Sequence, residues 1–169
     1  MIYKTSKNLQ LVLDLSFKIE ILPQKFPPNS LPTLSNSKFI LIGEDDIDDQ
    51  EFLKEIFIQV DDSYPLLFLQ NGRQIVDFLE KQNDEELPCL ILLDYNMPDL
   101  NGADILSQLK TKDRYHPIPK IIWSTSGSNT YKKSCLELGA NDYFIKPSNV
   151  KDLTDLVRKM LSICTIQKV

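Results

Sequence analysis

The sequence has no excess of basic residues, no long apolar run, no paired-cysteine motif and no glycine-rich loop. Its 19 Lys and Arg stand against 24 Asp and Glu, a net charge of −5 with a pI near 4.9, so it offers no basic face for nucleic acid. No apolar stretch approaches the roughly 20 residues that a membrane helix needs. Near the N-terminus Lys4 and Lys7 are present, but Gln10 and Asp14 interrupt the apolar core that a secretion signal requires. A soluble, cytoplasmic protein is the expectation. Cys89, Cys135 and Cys164 are odd in number, far apart and free of any CxxC spacing, which predicts unpaired thiols in packing roles within a reducing cytosol. With 169 residues the chain supports one domain with a substantial core, since about 150 residues bury roughly 68–70% of their unfolded surface.

What the sequence does contain is organised around LILLDYNMPDLNG, residues 90–102. An uninterrupted apolar run bounded by Asp, Asn, Pro and Gly suits a central strand of a parallel sheet, which is covered on both faces. Asp94 then lies at the carboxyl end of that strand, where open α/β sheets place their chemistry.

Residues 1–37 differ from the rest. From Leu9 to Ile21 every odd position is apolar, while Gln10, Val12, Asp14, Ser16, Lys18 and Glu20 fall between them; this period of two is that of an amphipathic strand. Pro23, Pro27, Pro28 and Pro32 follow among Ser and Asn and read as an extended linker. This extension is either a disordered leader or a strand that pairs with a sheet edge, its own or a partner's. A homodimer is one consequence of the second reading.

From Lys38 onward strand-like and helix-like segments alternate. Strands are expected at Phe39–Gly43, Leu66–Leu69, Cys89–Leu93, Lys120–Trp123 and Asp142–Ile145, each followed by a segment with apolar residues at helical spacing. The last helix is expected to end near Leu161. Such alternation with short connections predicts a doubly wound parallel α/β sheet, with residues 38–169 as one domain. Right-handed crossovers place every strand-to-helix loop on one rim.

On that rim stand Glu44, Asp45 and Asp46 after strand 1, Asp94, Tyr95 and Asn96 after strand 3, Ser124 and Thr125 after strand 4, and Lys146 and Pro147 after strand 5. Carboxylates converging with a backbone carbonyl form a hard oxygen site suited to Mg²⁺. A carboxylate there can attack phosphorus and form an acyl phosphate, with the metal and a lysine neutralising the transferred charge. Each clue alone is weak, because acidic residues after a strand are as often helix caps. Their joint placement on four strand ends is specific.

These residues carry a family resemblance. IGEDD at 42–46, LLDYNMPDLNG at 92–102, WST at 123–125 and YFIKP at 143–147 resemble the motifs of the receiver domain of two-component response regulators, over about residues 38–163. The resemblance implies a flavodoxin-like (βα)5 fold with strand order 2-1-3-4-5. It makes Asp94 the phosphoacceptor, with Asp45 binding Mg²⁺ directly, Glu44 mainly through water, and the Asn96 carbonyl completing the protein ligands. Ser124 takes the place of the conformational hydroxyl, Lys146 that of the lysine pairing with the phosphoryl group, and Tyr143 that of the aromatic switch. The Lys146–Pro147 bond becomes a candidate cis peptide. A sensor histidine kinase or a phosphotransfer protein is the implied donor, and acetyl phosphate a small-molecule one. With few residues after the last helix, the pattern resembles a stand-alone receiver of the kind that accompanies bacteriophytochrome and hybrid kinases. Its chemistry is then confined to its own phosphorylation and dephosphorylation, and its output is a changed surface around helix 4, strand 5 and helix 5 that binds a downstream protein.

Other readings of single residues sit beside these. Asp46 is expected to cap the first helix, and Asp48, Asp49 and Glu51 to complement its dipole. Trp123 reads as core or rim packing. His116, the only histidine, falls in the connection before strand 4, on the opposite rim, and so cannot donate a phosphoryl group internally. A haloacid-dehalogenase-like phosphatase needs a general acid two residues after its nucleophile, where Asn96 stands. A nucleotide binder needs a glycine-rich loop after strand 1, where the chain is acidic. A phosphate-independent or phosphate-sink adaptor remains as the alternative within the family.

Overall fold

A computed structural model describes residues 38–166 of the chain. The strand and linker read in residues 1–37 lie outside the described residues. The elements are β1 (Ile40–Gly43), α1 (Ile47–Val60), β2 (Leu66–Leu69), α2 (Gly72–Lys81), β3 (Leu90–Asp94), α3 (Gly102–Lys110), β4 (Lys120–Ser124), α4 (Asn129–Glu137), β5 (Asp142–Ile145) and α5 (Val150–Ile166). Two short 3-10 turns, Asp84–Glu86 and Asp113–Tyr115, precede β3 and β4. The five strands run parallel in the order β2-β1-β3-β4-β5, as expected.

β1, β3 and β4 are buried along their whole length. Successive strand side chains point to opposite faces, and here the two faces feed two separate cores. Leu41, Ile91, Leu93, Ile122 and Tyr143 pack against α2, α3 and α4. Ile40, Ile42, Leu90, Leu92, Ile121 and Trp123 pack against α1 and α5, through Leu53, Ile56, Phe57, Leu153, Val157 and Met160.

Side-chain caps define where the rim loops stop and the helices begin. Asp46 accepts from the amides of Asp48 and Asp49 at 2.9 and 3.2 Å, confirming its capping role. Asn71 accepts from Gln74 N at 2.8 Å, and Asn101 exchanges bonds with Asp104 in a capping box. Each cap satisfies amides that the first helical turn cannot pair internally. At Gly72 the chain needs the missing side chain: a Cβ there would lie 2.1 Å from the carbonyl oxygen of Leu100. That contact, with Gly72 N donating to Pro98 O at 3.1 Å, seats the start of α2 on the loop after β3.

Two expectations fail. Among the described residues there is no cis peptide bond, so Lys146–Pro147 is trans, the isomer favoured by about 0.5–1 kcal/mol for an X–Pro bond. The thiols are not all unpaired either. Cys89, just before β3, and Cys164, in the last turns of α5, form a disulfide with Cα atoms 5.4 Å apart, and only Cys135 is free. Their separation of 75 residues hides the pairing in the sequence. It arises because α5 runs back across the sheet and brings its C-terminal end over the start of the central strand, inside the α1/α5 core. The cysteine pattern therefore no longer argues for a reducing compartment. No helix among the described residues is long and apolar enough to cross a membrane.

Lys120 opens β4 on the rim opposite Asp94 and is 5% exposed. Its ammonium donates to the carbonyls of Tyr115 and Ile118 at 2.5 and 2.7 Å, and burial pushes its pKa from 10.5 down to about 8. Between those two values the unfolded chain holds the proton that the folded one has lost, so stability rises with pH across that window. Relative to Lys120→Met, the wild type is expected to gain on the order of 2 kcal/mol between pH 8 and pH 10.5, measured by urea unfolding at several pH values. Parallel pH profiles for the two proteins would contradict it.

Candidate functional site

Strand register determines which side chains meet on the rim. Asp94 is paired with Trp123, and Trp123 with Phe144; Gly43 is paired with Leu93, so Glu44 follows beside Asp94. Lys146 lies two residues beyond Phe144. By the strand period of two, Glu44, Asp94, Trp123 and Lys146 share the face that carries α1 and α5. Ser124 and Tyr143 belong to the other face.

The side chains on the first face converge on one ammonium. Lys146 Nζ lies 2.8 Å from Glu44 Oε2, 2.7 Å from Asp49 Oδ2 and 3.3 Å from Asp94 Oδ2. It also stands 4.8 Å from the centre of the Trp123 ring. Trp123 Nε1 donates to the same Glu44 oxygen at 2.9 Å. Glu44 is fully buried and Asp94 is 6% exposed, while Asp45 beside them is exposed. Asp94 Oδ1 accepts from the Asn96 amide at 3.2 Å, and the Glu44 carbonyl accepts from Gln50 Nε2 at 2.6 Å.

Electrostatics follow from this packing. Burial raises the pKa of Asp94 above the usual carboxylate range, with Lys146 pulling it back and Asp45 adding to the rise. Burial raises Glu44 likewise, against its hydrogen bond to Lys146. Burial alone would lower Lys146, but its bonds to Asp49 and Glu44 outweigh it and hold the ammonium above its ordinary value. Three carboxylates thus surround one ammonium, and a fourth, Asp45, stands beside Glu44 and Asp94. Oxygens of Glu44, Asp45 and Asp94 all lie within 4.8 Å of one another, a hard donor set with surplus negative charge that fits a divalent ion such as Mg²⁺ or Mn²⁺.

The opposite side of the rim is a loop of serines. Ser124 is fully buried and its Oγ accepts from Ser126 N at 3.1 Å; Ser126 Oγ accepts from Ser128 N at 3.3 Å, and Ser128 Oγ from Tyr131 N at 3.4 Å. Tyr143 is 4% exposed, its ring turned inward, and its hydroxyl donates to Ser126 O at 2.8 Å. Tyr95, next to Asp94, stacks on Tyr131 of α4 with ring centres 4.7 Å apart.

The structure therefore brings Glu44, Asp45, Asp94, Asn96 and Lys146 together, with Ser124 and Tyr143 on the adjoining loop and strand. His116 lies before β4, on the opposite rim, donating to Lys110 O at 2.9 Å. Two residues do more than is expected of them from the sequence. Asp49 sits in the first turn of α1 as expected and is also the acid nearest Lys146; its position four and seven residues before Leu53 and Ile56, on the buried face of α1, is the sequence signal for it. Trp123 packs in the core as expected and also donates to Glu44; the period of two that puts it beside Asp94 is the signal for that role.

Comparison with known proteins agrees with this geometry. The family model for the response regulator receiver domain matches residues 40–158. Response regulator Rcp1 of Synechocystis sp. is 32% identical over 124 residues, covering 72% of this chain and 84% of Rcp1. Transcriptional regulatory protein CpxR of Escherichia coli is 34% identical over 122 residues, 72% of this chain but 48% of CpxR. The crystal structure of the Mn²⁺-bound form of Rcp1 superimposes with a TM-score of 0.67 at 30% identity, covering 78% of this chain and 96% of that one. Response regulator RPA3017, from red light signalling in R. palustris, gives 0.66 at 30% identity, covering 72% and 90%. By motif, fold and match, this chain belongs to the response regulator receiver domain family.

Proposed function

We propose that Asp94 accepts a phosphoryl group in a Mg²⁺-dependent reaction and that the chain then presents an altered protein-binding surface. The observation that carries this reading is the buried Asp94 carboxylate at the end of β3, 3.3 Å from the Lys146 ammonium and clustered with Glu44 and Asp45. An Asp94 oxygen attacks phosphorus, the bond from phosphorus to the donor breaks, and its electron pair leaves with the donor. Glu44, Asp45, Asp94 and the Asn96 carbonyl would hold Mg²⁺, which when bound would supply charge neutralisation on the transferred group. Lys146 pairs with a phosphoryl oxygen, and Ser124, whose Oγ still accepts from Ser126 N, donates its hydroxyl hydrogen to another. The Mn²⁺-bound form of Rcp1 supports a divalent ion at this site.

A phosphohistidine on a sensor kinase or a phosphotransfer protein is the proposed donor, and a relative identified as Histidine kinase P4 contains a matching segment. The chain turns over no external substrate. Phosphorylation adds about −1.5 to −2 charge at Asp94 and favours the conformer that brings Ser124 and Lys146 to it. Through Tyr143 the shift reaches α4, β5 and α5, where Tyr131, Leu136 and Ile145 stand 42%, 40% and 58% exposed for a partner to cover. The test is incubation with acetyl phosphate, read by intact mass. A single phosphate that appears only with Mg²⁺ and is released by hydroxylamine supports an acyl phosphate. No adduct, together with no beryllofluoride binding, would leave a phosphate-independent adaptor.

A further inference from the structure

We infer that Asp49 is a positioning residue that holds the Lys146 ammonium aside so that Glu44 and Asp94 can turn to the divalent ion. This rests on the Mg²⁺-dependent reading of the site. Lys146 bonds to two of the three carboxylates of the cation cluster, Glu44 at 2.8 Å and Asp94 at 3.3 Å. An incoming dication meets that ammonium as a competitor for the same oxygens. Asp49 is outside the cluster, yet its contact with Lys146 is the shortest of the three, at 2.7 Å.

The placement is built by the fold. Asp49 sits in the first turn of α1, with its amide fixed on the Asp46 cap at 3.2 Å, and the next residue, Gln50, ties α1 to the Glu44 carbonyl at 2.6 Å. The Asp49 carboxylate thereby faces Lys146 from the helix while Glu44 and Asp94 face it from the sheet. When Glu44 and Asp94 are drawn to a cation, Asp49 remains as the anion that keeps Lys146 paired. Without Asp49 the ammonium leans fully on Glu44 and Asp94 and opposes the metal.

The test is a double-mutant cycle on the whole chain, with Mg²⁺ as the probe. Affinity is read from the emission of Trp123, the only tryptophan, which bonds Glu44 and lies under Lys146, and is checked by calorimetry. Asp49→Asn is expected to weaken Mg²⁺ binding about fivefold more in the wild-type background than in Lys146→Met, where no ammonium competes. Asp49→Glu, which keeps the anion, is expected to restore affinity to within about twofold. Equal losses in the two backgrounds would mean that Asp49 acts only as a distant charge, and would overturn the inference. So would a loss that Asp49→Glu leaves unrepaired. If the wild type binds no Mg²⁺ at all, the reading of the site falls with it; a wild type that binds Mg²⁺ and takes up phosphate, but shows no coupling, overturns the role of Asp49 alone.

Discussion

Asp94→Asn is expected to remove phosphorylation by acetyl phosphate to background while leaving the protein folded and slightly more stable. The amide matches the carboxylate in shape but has no nucleophilic oxygen, so no acyl phosphate forms. Stability behaves in the opposite sense because Asp94 is buried among like charges. Its removal relieves repulsion from Glu44 and Asp45, while Lys146 keeps its shorter bonds to Glu44 and Asp49. An increase of about 1 kcal/mol in metal-free buffer is expected. Intact mass measures the first effect and thermal unfolding in EDTA the second. A variant that still gains a Mg²⁺-dependent phosphate would show that another residue is the acceptor.

The second large effect is expected from the Cys89–Cys164 disulfide. Closing a loop across 75 residues restricts the unfolded chain and stabilises the fold by about 4 kcal/mol on the chain-entropy account. Reduction is therefore expected to lower the melting temperature by on the order of 10 °C. A Cys89→Ala/Cys164→Ala variant is expected to melt without regard to reductant. Thiol titration of the denatured, unreduced wild type checks the pairing, with one reactive thiol of the three cysteines expected. Three reactive thiols and a melting temperature indifferent to reductant would refute it.

These two residues also mark what was legible in the sequence. Asp94 could be found because it ends an apolar run, and the parallel α/β rule places strand ends on one rim. Glu44, Ser124 and Lys146 follow by the same rule, and the alternation of segments gives the five parallel strands, while their order comes from the family resemblance. The disulfide could not be found, because nothing local relates the start of β3 to the end of α5. Asp49 is different: its spacing of four and seven residues before Leu53 and Ile56 puts it on the buried face of α1, but only the docking of α1 on the sheet brings that face to Lys146. The trans Lys146–Pro147 bond departs from the cis candidate that the resemblance implies, and the residues themselves fix neither isomer.

The serine loop between β4 and α4 has one more consequence. Ser124, Ser126 and Ser128 each accept the amide hydrogen of a residue two or three further on, and the Tyr143 hydroxyl binds the Ser126 carbonyl. Few torsions in this segment can change independently, so it has the kinematics of a jointed bar. A hydroxyl drawn toward Asp94 at one end must carry the first turn of α4 at the other, and the travel is fixed by bond lengths. The loop thus transmits displacement with little slack, and substituting Ser126 with glycine would loosen the joint without touching either end.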